Sequence, residues 1–213
     1  MAEIKWFGHG CFRLRAREAT VLMDPVGRAT GYTLPKQKAD IVTVSHPHPG
    51  HNALGQVQEG YFLIDGPGEY EVSDVFVTGI RTYHDNERGK LRGFNTVYLL
   101  ELEDLRICHL GDLGHQLTDE QTEQLDEVDV LLVPVGGGSA LDSVGANEVI
   151  GQIEPKIVVP MHYRTAAGDQ GLEDLDRFCK ALGLDPQEQS PQEKLTLRKS
   201  DLPETVKVVI LQP

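Results

Sequence analysis

The chain has 213 residues, 39% of them hydrophobic and 25% charged, and is long enough to bury a sizeable core without a disulfide framework or a structural metal. Its 33 acidic against 20 basic residues give a formal net charge of −13, which repels a phosphate backbone at long range and disfavours sequence-independent nucleic-acid binding. Cys11, Cys108 and Cys179 lack any CxxC spacing, and no window has the apolar length of a signal peptide or membrane span, which together point to a reducing, cytoplasmic setting with no membrane partner.

In chain order, the first half offers short β-branched and aromatic runs: KWFGHGCFRLRA, TVLMDP, ADIVTVSH, YFLID, VFVTGIRTYH and NTVYLLEL. Turn signals such as GPG, DNERG and RGFN separate them, so a meandering sheet is expected. In the second half DLRICHLGDLGH, DVLLVPVGG and KIVVPMHY read as buried strands between helical segments. Thr118 stands three residues before Gln121, a capping box that predicts a helix start. SVGANEVIGQIEP places Val144, Val149, Ile150 and Ile153 near one helical face and stops at Pro155. LEDLDRFCKALGL spaces Leu172, Leu175, Phe178, Cys179 and Leu182 at helical intervals, which makes Cys179 a core residue, and TVKVVILQP returns to strand composition. No linker divides the chain, so one domain over residues 1–213 is expected. Strands first and strand–helix units later predict an α/β, four-layer αββα sandwich of two sheets flanked by helices.

The histidines are more informative than the bulk composition. His46 follows one apolar run, His84 a second, and His162 a third, while Asp112 follows a fourth, so separate strands deliver ligand-type side chains at their carboxyl ends. His46 and His48 lie two apart in a loop and can aim both rings at one ion; a turn beginning at Gly50 can aim His51 at a second. Imidazole and carboxylate suit zinc, iron and manganese, and the lack of nearby thiolates argues for an open, catalytic site rather than a closed structural one. The plainer reading, polar loop residues beside a turn-forming PHPG, fits a lone histidine better than three within six positions.

SHPHPGH resembles the HxHxDH signature of the metallo-β-lactamase superfamily, written here as HxHxGH, and LMDP, TYHD, LGDLG and PMHY supply the other stations in order. The resemblance runs from Trp6 to Arg164, and GHGCFRL and GPGEYEV are similar to the branch of small hydrolases that includes the ascorbate-6-phosphate lactonase-like proteins. It implies the αββα fold with metals at one edge. It further implies that His46, His48 and His84 hold one ion, His51 and His162 hold a second, and Asp112 bridges them, with Asp24 beneath the histidine loop as a hydrogen-bond acceptor. The implied cofactor is one or two divalent ions, zinc first, with manganese and iron also suited.

Gly50 departs from the family pattern, because glycine cannot supply the carboxylate that the signature places there. His9 is a candidate replacement ligand, and equally a core or turn histidine. Orienting the attacking water then falls to Asp112 or to a group behind the ligands, and Asp112 and His51 are the candidate catalytic residues. His109 is expected to point away from the site; His115 and Arg164 are candidates for its rim, Arg164 as a partner for an anionic substrate. The expected function is hydrolysis of an ester, lactone or phosphodiester bond of a small, phosphorylated or unphosphorylated molecule. The alternative is a metal- or ligand-binding module with little hydrolytic ability, and a nuclease is the third reading. The partner is a small-molecule substrate, with homo-oligomerisation left open.

Overall fold

A computed structural model describes all residues from Met1 to Pro213. In chain order the strands are β1 (Ala2–Trp6), β2 (Phe12–Arg15), β3 (Thr20–Met23), β4 (Ile41–Thr43), β5 (Phe62–Ile64), β6 (Gly68–Val72), β7 (Val75–Tyr83), β8 (Phe94–Leu102) and β9 (Leu105–His109). Helix α1 (Asp119–Gln124), β10 (Val130–Pro134), α2 (Ser143–Ile153), β11 (Ile157–Met161), α3 (Leu175–Ala181), β12 (Leu195–Leu197) and β13 (Lys207–Val208) follow. They form a six-stranded sheet in the order β12-β1-β2-β3-β4-β5 and a seven-stranded sheet in the order β13-β11-β10-β9-β8-β7-β6. Both sheets are mixed: β1, β2, β3 and β12 pair antiparallel while β3, β4 and β5 pair parallel, and β6 to β9 pair antiparallel while β9, β10, β11 and β13 pair parallel.

The period-2 alternation of strand side chains builds the core. β1 buries Ala2, Ile4 and Trp6 on one face, and these join a cluster of 45 buried residues that also takes in Phe12, Tyr98, Leu100 and Leu132. β10 and β11 are buried along their whole length, as parallel strands covered on both faces must be. Helix α2 covers them with Ala146, Val149, Ile150 and Ile153. The other sheet has a different cover. In β3, Val21 and Met23 face the main core, whereas Leu22 faces a cluster of nine residues that includes Cys11, Tyr32, Leu34 and Val57. Loops and two short 3-10 turns, Arg28–Thr30 and Leu54–Gln56, supply that outer layer where the sequence predicts helices on both sides.

Three local expectations shift. KWFGHGCFRLRA folds as two antiparallel strands, because Gly8 (φ 95) and His9 (φ 53) take left-handed conformations that reverse the chain, closed by the Phe7 N–H to Cys11 carbonyl bond of 2.8 Å. Val144 is 63% exposed: the α2 stripe runs through Ala146, and Val144 is turned about 200° away from it. α3 begins only at Leu175, where the Asp174 side chain accepts from the Arg177 N–H, so Leu172 lies in the loop before it; Cys179 is fully buried as expected. The capping box on α1 is present as read, and α2 ends at Ile153, capped by the left-handed Glu154 just before Pro155. Truncating a side chain at the centre of the buried sheet tests the packing: Leu132→Ala is expected to destabilise the protein by about 2–5 kcal/mol in denaturant unfolding. A loss below about 1 kcal/mol would contradict a close-packed core at β10.

Candidate metal centre

Five strand ends converge on one rim. β3 leads into Asp24, β4 into Ser45 and His46, β7 into His84, β9 into Asp112 and β11 into His162, and the β1–β2 turn brings His9 to the same place. The local backbone is unusual there. His9, Asp24 and His162 have φ of 53°, 45° and 51°, a left-handed conformation that side-chain-bearing residues seldom adopt and that surrounding contacts must enforce. Gly111, just before Asp112, also has positive φ, and a Cβ on it would meet Asn95 Oδ1 at 2.5 Å and Ser45 Cβ at 2.6 Å. Only glycine lets the Asp112 turn approach the histidine loop so closely.

Asp112 is the hub. Its Oδ2 lies 3.3 Å from His51 Nε2, 3.3 Å from His84 Nε2 and 3.9 Å from His46 Nε2, and its Oδ1 lies 3.6 Å from His162 Nε2. Two ligand atoms bound tetrahedrally at about 2.1 Å from one ion lie roughly 3.4 Å apart, which is this spacing. Three overlapping groups have atoms within 4.8 Å of one another: His9, His51, Asp112 and His162; His46, His48 and His51; and His46, His84 and Asp112. All are buried except His48, which sits at the mouth.

The imidazoles are oriented from behind. His51 Nδ1 lies 2.7 Å from Asp24 Oδ2, His84 Nδ1 3.0 Å from the Ser139 carbonyl, and His9 Nδ1 2.9 Å from Asp169 Oδ1. Ser45 Oγ donates to Asp24 Oδ2 at 2.6 Å, so toward His46 Nδ1, 2.9 Å away, it is left to accept. Each ring thereby spends Nδ1 on the protein and turns Nε2 toward the centre, the arrangement found behind metal-bound histidines. Inside, the Nε2 atoms of His9, His46 and His51, with Asp112 Oδ1, are buried without any hydrogen-bond partner, while His162 presents Nε2 to Asp112 and keeps its outer Nδ1 unpaired. Buried polar atoms left unpaired are costly. A shared cation satisfies such a set, and the residues therefore fit a divalent metal.

Electrostatics agree. Burial alone would raise the Asp112 pKa, yet the His162 and His51 imidazoles hold it well below the usual carboxylate range. His51 shows the reverse balance: burial lowers its pKa, and the Asp112 and Asp24 carboxylates overcome this and raise it to about 10. Burial, reinforced by the neighbouring His51, lowers His46 to about 3, and burial lowers His162 to about 4. Burial alone would lower His84, but the nearby Asp112 carboxylate and the backbone partners, the Ser139 carbonyl among them, together outweigh it and raise the pKa. The two carboxylates thus favour the protonated form of the His51 imidazole.

His46, His48, His51, His84, Asp112, His162 and His9 are all brought together, and Asp24 takes its place beneath the loop, accepting also from the Ser45 N–H at 2.7 Å. His109 lies outside the cluster: its Nε2 donates to the Gly10 carbonyl at 2.8 Å and pins the turn that carries His9. His115 Nε2 accepts from the Tyr83 N–H, bracing the end of β7, and Arg164 is paired with Asp174 at 2.7 Å. Cys11 and Cys108 are buried thiols with pKa values pushed up by burial, so no nucleophilic thiol competes. The histidines open onto a cleft of about 530 Å³ that is also lined by Arg92, Phe94 and Ser139. A groove of similar size, about 580 Å³, is lined by surface charges such as Arg17, Glu18 and Lys199 and gathers no histidine. Sequence reading passed over Arg92, Ser139 and Asp169. Only Asp85 carried a local signal for the first of these: its carboxylate accepts the N–H groups of Glu87, Gly89, Leu91 and Arg92 and shapes the DNERG turn.

Residues 3–162 match the family described as Beta-lactamase superfamily domain. A UPF0173 metal-dependent hydrolase of Thermoplasma acidophilum is 31% identical over 190 residues, covering 76% of this chain and 84% of that protein. A UPF0173 protein of Pyrococcus abyssi is 28% identical over 193 residues, covering 78% and 85%. A crystal structure from Thermotoga maritima, described as a candidate Zn-dependent hydrolase of the metallo-β-lactamase superfamily, superposes with a TM-score of 0.78 at 36% identity, covering 100% of each chain. No helix of this chain is long and apolar enough to cross a membrane.

The His51 imidazolium gives a direct test. Because its pKa lies near 10, a metal must displace its proton at neutral pH, so zinc titration of metal-free protein at pH 7.5 is expected to release at least one proton per chain. Calorimetry in two buffers of different ionisation enthalpy reads this release, and apparent affinity should rise from pH 7 to 9. Binding without proton release would contradict His51 as a ligand.

Proposed function

Because the chain belongs to the beta-lactamase superfamily and, within it, to the UPF0173 metal-dependent hydrolases, we propose that it hydrolyses an ester, lactone or phosphodiester bond of a small anionic molecule at the histidine–aspartate cluster. The observation that carries this reading is the set of buried, unpaired imidazole nitrogens gathered around the Asp112 carboxylate. His46, His48 and His84 would hold one ion; His51 and His162 would hold a second, with His9 beside them and Asp112 between the two. Zinc suits this donor set, as do manganese and iron. A divalent ion bound there supplies Lewis acidity toward a substrate oxygen and lowers the pKa of a coordinated water toward ~7.

The side chains do the positioning. Asp112, held ionised and fixed by its main-chain N–H donating to Asn95 Oδ1 at 2.9 Å, is the acceptor able to take a hydrogen bond from the attacking water and aim it. Asp24 takes His51 Nδ1 and so aims the His51 Nε2 at the centre beside Asp112. Arg92 lines the cleft with an exposed guanidinium, and it fits the anionic portion of a substrate, while Phe94 offers an apolar wall. A net charge of −13 over the chain favours a small molecule over nucleic acid, the cation site and Arg92 being local exceptions.

Assays of the full chain with added zinc or manganese, on bis(p-nitrophenyl) phosphate and p-nitrophenyl acetate, test the proposal. Turnover is expected, and a chelator or His48→Ala is expected to abolish it. Tight metal binding with no turnover on either substrate would favour the binding module instead. Arg92→Ala is expected to lower kcat/KM for the phosphodiester roughly tenfold, from the ~1.5 kcal/mol of a charge-assisted hydrogen bond, and to leave the neutral ester nearly unchanged. Equal losses on both substrates would remove Arg92 from substrate recognition.

A further inference from the structure

Position 50 is where the signature HxHxDH carries a carboxylate and this chain carries none. The backbone does not demand a glycine there, since Gly50 lies outside the left-handed φ range. Space does. A Cβ on Gly50 would stand 2.8 Å from His9 Nε2, 3.1 Å from His9 Cδ2 and 3.2 Å from His48 Nδ1. The His9 ring fills the volume into which a side chain at position 50 would grow.

That ring is held on every side. Its main-chain carbonyl accepts from Trp6 Nε1 at 2.9 Å and from the His162 N–H at 3.2 Å, so His9 is tied directly to another member of the cluster. Its Nδ1 meets Asp169 Oδ1 at 2.9 Å, with both side chains buried. The ring centroid stands 4.6 Å from that of His51 and 4.2 Å from that of His162, and Nε2 is buried without a partner. Asp169 comes from the loop between β11 and α3. It is left-handed (φ 59°), its N–H donates to the Thr30 carbonyl at 3.1 Å, and its other oxygen, Oδ2, is buried and unpaired. The contact joins residues 160 positions apart, which a merely solvating aspartate has no reason to do.

We propose that Asp169 is a positioning residue that fixes His9 as the ligand replacing the carboxylate absent at position 50. Asp169 holds the proton of His9 on Nδ1, leaving Nε2 as a lone-pair donor to the second ion. The anionic charge that an aspartate at position 50 would place directly on the metal is moved one imidazole outward, to Asp169. The charge near the second ion is thereby largely conserved while the donor atom changes from oxygen to nitrogen. This proposal rests on the metal-binding reading above, and goes beyond it in assigning the Gly50–His9–Asp169 exchange.

The test is a metal titration of the full-length protein, stripped and reloaded with cobalt(II), read as ion stoichiometry and as the visible absorption of each successive ion, with thermal unfolding of the metal-free variants as a folding control. Wild type is expected to take two ions. Asp169→Ala is expected to weaken the second ion by about 10- to 100-fold and leave the first unchanged, the usual effect of removing the partner behind a ligating histidine. His9→Ala should lose the second ion, Gly50→Asp alone should weaken it by crowding His9, and His9→Ala/Gly50→Asp should recover it. In that recovered background Asp169→Ala should have no further effect on metal, whereas a purely structural role would persist. Second-ion binding indifferent to Asp169→Ala, or a wild type that takes a single ion indifferent to His9→Ala, would overturn the proposal while leaving the metal site standing. A wild type that binds no cobalt would overturn both.

Discussion

One ionised carboxylate faces four imidazoles at the buried floor of a cleft, and most of what is distinctive in the chain serves that encounter. An isolated buried carboxylate would protonate, and a buried histidine would shed its proton. Here His162 and His51 keep Asp112 charged, and Asp112 with Asp24 keeps His51 charged, so each side of the pair depends on the other. Such an assembly gains little stability by itself, because desolvation offsets the attraction. Its presence at the rim of a well-packed sandwich is better explained by what it can hold.

The fold meets this demand with geometry. Two mixed sheets bring several strand ends to one edge, and within three residues past those ends stand side chains of the cluster. Precision comes from the atoms behind: Asp24 fixes His51 and, through Ser45, His46, while the Ser139 carbonyl fixes His84 and the Asn95 side chain fixes the Asp112 main chain. Left-handed residues at three of these stations show that the backbone is bent to suit the site.

Much of this was legible in the sequence because it is local. Ligand-type residues directly after apolar runs announce themselves, as His46, His84, Asp112 and His162 do, and the Thr118–Gln121 box marks its helix. What stayed hidden depends on long-range packing. For His9 the sequence leaves ligand and core or turn histidine equally open until the Gly8–His9 turn is seen, and Asp169 lies 160 positions from its partner in an unpatterned loop. Arg92 sits in a turn whose shape comes from backbone hydrogen bonds to Asp85, and nothing in RGFN says which way that turn faces. Val144 is apolar yet stands on the outer face of α2, because the 100° step per residue sets the buried stripe through Ala146. The two mixed sheets expected of the fold are present, and over the first sheet loops carrying Tyr32, Leu34 and Val57 do the covering.

Anomalous diffraction at the zinc edge, from crystals of the full chain grown with zinc, reaches the central claim most directly. A peak within about 2.0–2.2 Å of an Asp112 oxygen and of imidazole nitrogens from His46 and His84, or from His51 and His162, is the expected result. Well-ordered crystals with no peak among those side chains, or a peak bound elsewhere on the surface alone, would contradict it.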